Sequence, residues 1–318
     1  MSEGQLTREH DESPSSSMSK VSSSEAQATR RSLREAARRR WKPTVLTCLT
    51  VMTAVAGLTA LVYPDAASWV SALNQSGVVE NYDDSVAQAQ PDEATQLAAA
   101  RDYNQALSSG VLLAAGANVP QGNGTTTDPE YDYDKMLATS NGVMARLQIP
   151  KISVDLPIYH GTSDQTLMEG AGHLKGTSLP VGGEGTHAVI TAHRGLAEAK
   201  MFTDLDQIVE GDRFSITVFG EVLTYRVVST KVVAPEDTAT LRAEPGRDLV
   251  TLITCTPLGI NSHRILVTAE RVYPTPKADV AAAKEPVRVP FPWWMIVYGG
   301  GLLAIGVYLW RMGYARRR

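Results

Sequence analysis

Cysteine is scarce in this chain, with two in 318 residues, Cys48 and Cys255. Cys48 lies inside an uncharged apolar run and Cys255 far from it, so no disulfide framework holds the molecule together. The histidines are few and scattered, and no His/Cys cluster has zinc spacing. There is no internal repeat, no P-loop and no glycine-rich dinucleotide fingerprint. The acidic pairs Asp83-Asp84, Asp204/Asp206 and Glu236-Asp237 read as solvated surface charge rather than calcium ligands. Neither a metal nor an organic cofactor is expected. Positive charge is short in the middle of the chain. From Pro64 to Pro290, 17 Lys and Arg face 28 Asp and Glu, a net −11, against −4 for the whole chain. That balance excludes a nucleic-acid surface over this region.

The basic residues are at the ends. Arg30, Arg31, Arg34, Arg38, Arg39, Arg40 and Lys42 precede the apolar run Thr44 to Tyr63; Arg311, Arg316, Arg317 and Arg318 follow a second run, Trp293 to Trp310. Both runs lack charge. The first is about the length of a bilayer span, and the second is slightly shorter with aromatic residues near both ends. The positive-inside rule then puts both termini in the cytoplasm and the acidic middle outside the cell membrane. The first run is longer than a signal-peptide core and has a long polar segment before it, which favours a retained anchor. The small residues of Tyr63-Pro64-Asp65-Ala66-Ala67-Ser68 leave cleavage as the alternative. Met1 to Glu25 is rich in Ser and Glu and is expected to be disordered. Arg30 to Lys42 reads as a topology determinant that meets anionic lipid.

The expected organisation follows. Residues 1–42 form a basic tail, 43–63 a membrane helix, and 64–142 an outer helical extension ending in a loop. Residues 143–273 form a β-domain, 274–292 a proline-rich tether, 293–310 a second membrane helix, and 311–318 a basic tail. Ala94 to Leu107 has helical spacing, and Pro91-Asp92-Glu93 supplies a start signal. Short strand-like runs occur at 146–150, 154–159, 187–192, 213–218, 222–233, 249–254 and 265–272, punctuated by Gly, Pro, Asp and Asn. Many short strands in one domain argue for a barrel or sandwich. Leu167 to His173 reads as a short helix and turn, and Phe202 to Ile208 as another helical piece.

The chemistry concentrates in Thr251-Leu252-Ile253-Thr254-Cys255-Thr256-Pro257-Leu258-Gly259-Ile260-Asn261-Ser262-His263-Arg264. A buried strand ends at Cys255, a Pro/Gly/Asn loop turns the chain, and Arg264 opens the next strand. Antiparallel pairing would bring thiol and guanidinium together. A nearby cation favours thiolate, and acyl transfer needs a donor at the developing oxyanion. Free cysteine is often a small buried filler, but the arginine makes a nucleophile the stronger reading of Cys255. His263 and Arg264 alternate along a strand and should not share a cleft. His193 ends the apolar run Ala188 to Ala192 at a strand exit, where active-site loops arise. The local motif of papain-like proteases, and a helix after the cysteine, are both missing.

Thr251-Leu252-x-Thr254-Cys255 with Arg264 resembles the signature of the sortases, the cysteine transpeptidases of Gram-positive cell surfaces. The loop Thr-Pro-x-Gly-Ile-Asn-x-His-Arg resembles the pilin-polymerising class C branch, and Ile190-Thr191-Ala192-His193-Arg194-Gly195, Phe202-Thr203-Asp204-Leu205-Asp206 and Gly211-Asp212 also match the family. The resemblance covers Val143 to Arg271 closely. It implies an eight-stranded β-barrel with an N-terminal helical extension packed on it, and Cys255, His193 and Arg264 as catalytic residues. It also implies a Leu-Pro-x-Thr-Gly-like sorting motif on a pilin or surface protein, cleaved after threonine through a thioacyl intermediate. The acceptor would be a pilin lysine amine or, alternatively, a cell-wall precursor amine. Thr127-Asp128-Pro129-Glu130-Tyr131 resembles a class C lid, with Glu130 intervening between the Asp-Pro pair and the aromatic, so that Asp128 and Tyr131 (or Tyr133) would cover the site. Thr254 either orients substrate or supports its loop. An alternative of another class is a two-span membrane protein with an extracellular ligand-binding β-domain. It fits the topology but leaves Cys255, His193 and Arg264 unexplained.

Overall fold

A computed structural model describes residues 41–108, 111–112, 121–122, 125–126, 132–237, 239–285 and 289–314. Asp128 and Tyr131 lie outside the described residues. The chain forms two compact units, one of 1–61 with 296–318 and one of 62–295. Two helices are long and apolar enough to cross a membrane, α1 (Val45–Glu80) and α6 (Trp293–Tyr314); the first unit contains the N-terminal part of α1 and most of α6. Within that unit the Thr59 and Tyr298 hydroxyls lie 3.1 Å apart.

The second unit is built on a closed barrel of eight strands: β1 (Val143–Ile149), β2 (Val154–His160), β3 (Ala171–His173), β4 (Thr186–Thr191), β5 (Arg213–Val218), β6 (Glu221–Val233), β7 (Asp248–Thr256) and β8 (His263–Arg271). The order round the barrel is β6-β8-β7-β4-β3-β2-β1-β5, closing on β6. Two pairs are parallel, β4 with β7 and β2 with β3; the others are antiparallel. The strands meet the sequence expectation with one addition. The short β3 was read as a turn, because three residues containing Gly172 carry no β-branched signal. Gly172 is there for closeness, since a Cβ on it would collide with the Gly161 carbonyl. The helix before it, α4 (Asp164–Glu169), starts upstream of Leu167, where Ser163 caps it by accepting from Thr166 N at 3.1 Å.

Alternation along β4, β7 and β8 sorts the side chains into two cores. Ala188, Ile190, Val250, Leu252, Ile265, Val267 and Ala269 belong to the large interior cluster. Val189, Ile253 and Leu266 point the other way, into a small outer cluster with Leu174 and Leu241. β7 therefore buries both faces, which is why it reads as an unbroken apolar run.

The outer extension is docked on the barrel. α3 (Glu93–Ala106) is capped by Asp92, which accepts from Thr95 N at 3.0 Å, and buries Gln96, Leu97, Ala100 and Tyr103 on one stripe. Gln96 Oε1 accepts from Leu137 N at 2.9 Å, and Asn104 exchanges two bonds with Leu179 at 3.0 and 2.7 Å. Before it, in α2 (Tyr82–Ala87), buried Tyr82 donates to Met144 O at 2.9 Å. The tether beyond β8 is more than an extended strand. Its alanine-rich part forms α5 (Lys277–Ala283), tied down by Thr224, which donates to Asp279 at 3.0 Å, and by Arg146, which donates to Ala283 O at 2.8 Å. Phe202 to Ile208 contracts to one 3-10 turn, Leu205–Gln207.

Candidate active site

β7 and β8 pair with Cys255 directly opposite Arg264. Directly opposed residues of an antiparallel ladder lie about 5 Å apart and project to the same face. That face is the outer one, since Cys255 is two residues beyond Ile253 and Arg264 two before Leu266. β4 runs parallel to β7 on the other side, with Thr191 level with Ile253 as the last register pair. Extending the register by two brings His193 level with Cys255, on the same face as Val189. Neighbouring strands lie about 4.8 Å apart. The register therefore places Cys255, Arg264 and His193 on three adjoining strands at one end of the barrel, on the face that also carries the small outer cluster.

Local bonds hold each in place. Arg264 is 1% exposed and donates through Nη1 to Asn261 O at 2.8 Å and His263 O at 3.0 Å. The loop that delivers these carbonyls turns at Asn261, whose φ of 57° is left-handed backbone that asparagine tolerates. Asn261 N and Ile260 N both donate to Pro257 O, at 3.0 and 3.2 Å. His263 is exposed, as alternation requires. Thr254 is buried, and its hydroxyl donates to Ala192 O at 2.8 Å. It supports the loop before His193 and faces no open groove. Ala192 N donates to Ile253 O at 3.3 Å, and His193 O accepts from Phe202 N at 3.0 Å.

Burial pushes the Cys255 thiol above its ordinary value, with the Arg264 charge opposing. Burial lowers His193, with the Asp164 carboxylate opposing. The unreacted site therefore favours neutral thiol beside neutral imidazole. Among the described residues no group of three or more His, Cys, Asp or Glu is placed to hold a metal ion.

Tyr133, the alternative lid aromatic, is buried elsewhere. Its hydroxyl lies 2.9 Å from His173 Nδ1 and accepts from Gly161 N at 3.0 Å. Its ring stacks on His173 and meets His160 edge-on. It anchors the chain to β2 and β3. Sequence reasoning saw Arg194 only as part of the His193 motif, and the structure places it between the His193 loop and β7; its position directly after the histidine was the available signal.

A thiol, an imidazole and a guanidinium grouped on a closed eight-stranded barrel define a cysteine transpeptidase. The chain belongs to the sortase family, and the model of the Sortase domain matches residues 147–272. Sortase C-1 from Actinomyces oris is 49% identical, the match covering 57% of this chain and 98% of that one with a TM-score of 0.50. Sortase C of Streptococcus pneumoniae, whose structure was described for its catalysis and pilin substrate specificity, is 37% identical over 63% of this chain and 99% of its own, with a TM-score of 0.54. Sortase D of Bacillus subtilis (strain 168) is 27% identical over 171 residues, 53% of this chain and 83% of the relative.

Proposed function

We propose that this protein is a class C sortase that links pilin subunits through an isopeptide bond. The register pairing of Cys255 with Arg264, with His193 at the exit of the adjoining parallel strand, carries the reading. The similarity to sortase C proteins supports the class.

In this reading His193 takes the Cys255 thiol proton, and the thiolate so formed attacks the carbonyl carbon of the threonine in a Leu-Pro-x-Thr-Gly-like segment. The carbonyl oxygen takes up the negative charge, and the Arg264 guanidinium, already fixed by two carbonyls, stabilises it. The threonine–glycine C–N bond breaks, and the His193 imidazolium gives its proton to the departing amine. The thioester then meets a lysine amine of the next pilin. Neutral His193 takes the proton that this nitrogen sheds as it attacks, and the sulfur leaves as thiolate. Both termini are cytoplasmic and the barrel is outside, consistent with two apolar helices and basic flanks.

The test offers detergent-solubilised full-length protein a sorting-motif pilin with two competing acceptors, a lysine-bearing pilin and a cell-wall peptide amine. Isopeptide-linked pilin multimers are expected. Exclusive transfer to the cell-wall amine would replace pilin assembly with surface-protein anchoring.

A further inference from the structure

The motif that follows the candidate histidine, Arg194 with Phe202-Thr203-Asp204-Leu205-Asp206, has no part in the chemistry above. The structure gives it one. Arg194 is nearly buried, its side chain 10% exposed, and each part of its guanidinium group is engaged. Nη1 donates to Thr256 Oγ1 at 2.9 Å, Nη2 meets Asp206 at 2.8 Å, and Nε donates to Thr203 O at 3.1 Å. Thr203 is itself tied in, accepting from Gly195 N at 3.2 Å and donating to Lys200 O.

These contacts are symmetrical about the reacting pair. The residue before His193 is bonded to the residue before Cys255, through Thr254 Oγ1 and Ala192 O. The residue after His193 is bonded to the residue after Cys255, through Arg194 and Thr256. Regular pairing between β4 and β7 has stopped by this level, with Thr191 and Ile253 the last pair. Two side-chain bonds therefore continue the ladder where the backbone no longer does. Gly195, at φ +74°, then turns the chain away, and a Cβ there would strike Leu258.

We propose that Arg194 is a positioning residue for the transpeptidation, its bond to Thr256 fixing the height of the His193 imidazole against the Cys255 sulfur. The inference rests on the reading of Cys255 and His193 as an acyl-transfer pair. Lysine cannot replace the arginine, because a single ammonium cannot span Thr256, Asp206 and the Thr203 carbonyl as a planar fork does. Thr256→Val is the sharper perturbation, since it removes one acceptor and leaves the Asp206 and Thr203 contacts.

Two measurements on the full-length protein in detergent test it. The first is single-turnover acylation by a sorting peptide, with alkylation of Cys255 by iodoacetamide as control. Thr256→Val is expected to slow acylation at saturating peptide about tenfold or more, in line with the cost of misplacing a reacting group. The half-saturating peptide concentration and the alkylation rate should stay within about twofold, because the sulfur keeps Arg264 opposite it. The double variant Arg194→Lys/Thr256→Val should be no slower than Arg194→Lys, because both changes break one bond. Wild-type acylation by Thr256→Val, an equal fall in alkylation, or multiplying losses in the double variant would each overturn the proposal. The second measurement needs no turnover. The His193 ring resonances of histidine-labelled protein should be a single sharp set in wild type and broadened or multiple in Thr256→Val. Unchanged resonances would overturn the brace, whereas a wild-type protein that forms no adduct yet shows the resonance change would overturn the acyl-transfer reading alone.

Discussion

Acid should weaken this fold through one histidine remote from the chemistry. His173 on β3 is fully buried, and its Nε2 lies 2.8 Å from Ser178 O. A carbonyl only accepts, so Nε2 carries the proton and Nδ1 is left to accept from the Tyr133 hydroxyl at 2.9 Å. Both nitrogens are used by the neutral ring, and burial lowers its pKa from 6.5 to about 4. The unfolded chain binds a proton near 6.5 while the folded one waits until about 4, so stability rises with pH across that window and is lost as pH falls through it. The difference of about 2.5 pH units, at 1.36 kcal/mol each, gives a loss of about 3 kcal/mol at pH 4. Urea unfolding followed by fluorescence between pH 7 and pH 4 measures it. The control is His173→Gln, whose amide can donate to Ser178 O and accept from Tyr133 without titrating. Carboxylates contribute equally to both proteins, so the wild-type curve should fall more steeply by about 3 kcal/mol. Parallel curves would refute the assignment of His173 as a buried neutral ring.

Other outcomes follow from the same contacts. Tyr133→Phe strands His173 Nδ1 and Gly161 N, and should cost about 2–4 kcal/mol in unfolding free energy, read by urea titration, with kcat for acylation changed less than about threefold. Arg264→Lys loses the fixed fork that holds Asn261 O and His263 O, and should lower kcat/KM about a hundredfold in a peptide-cleavage assay. Since the Cys255 thiol is raised from 9.0 and His193 lowered from 6.5, kcat/KM should be bell-shaped, its acid limb below 6.5 and its alkaline limb above 9.0. Alkylation of Cys255 should follow the alkaline group alone, and a thiol titrating below 7 would refute the burial argument.

The barrel was legible from its short strands, and so was the pairing of Cys255 with Arg264, for a physical reason. A strand, a turn and a strand of known alternation place Cys255 opposite Arg264 and turn His263 away, and all of this is local to fourteen residues. His193 was found only as a strand exit with a family resemblance, because parallel pairing of β4 with β7 joins segments that share no turn. Arg194 was visible only as part of the His193 motif, because its contacts depend on Thr256 and Asp206 arriving from two other elements. β3 was missed because closeness at Gly172, rather than side-chain pattern, makes it a strand. α5 was missed because five prolines around Ala281 to Ala283 outweighed a short alanine run whose helix is fixed by Thr224 and Arg146.

The central claim is that Cys255 is the nucleophile, and mass spectrometry of the full-length protein quenched during turnover tests it most directly. A sorting peptide should leave its fragment ending in threonine as a thioester on Cys255, with the glycine-starting fragment free in solution and no adduct on Cys255→Ala. An adduct on any other residue, or full transpeptidation by Cys255→Ala, would contradict the account.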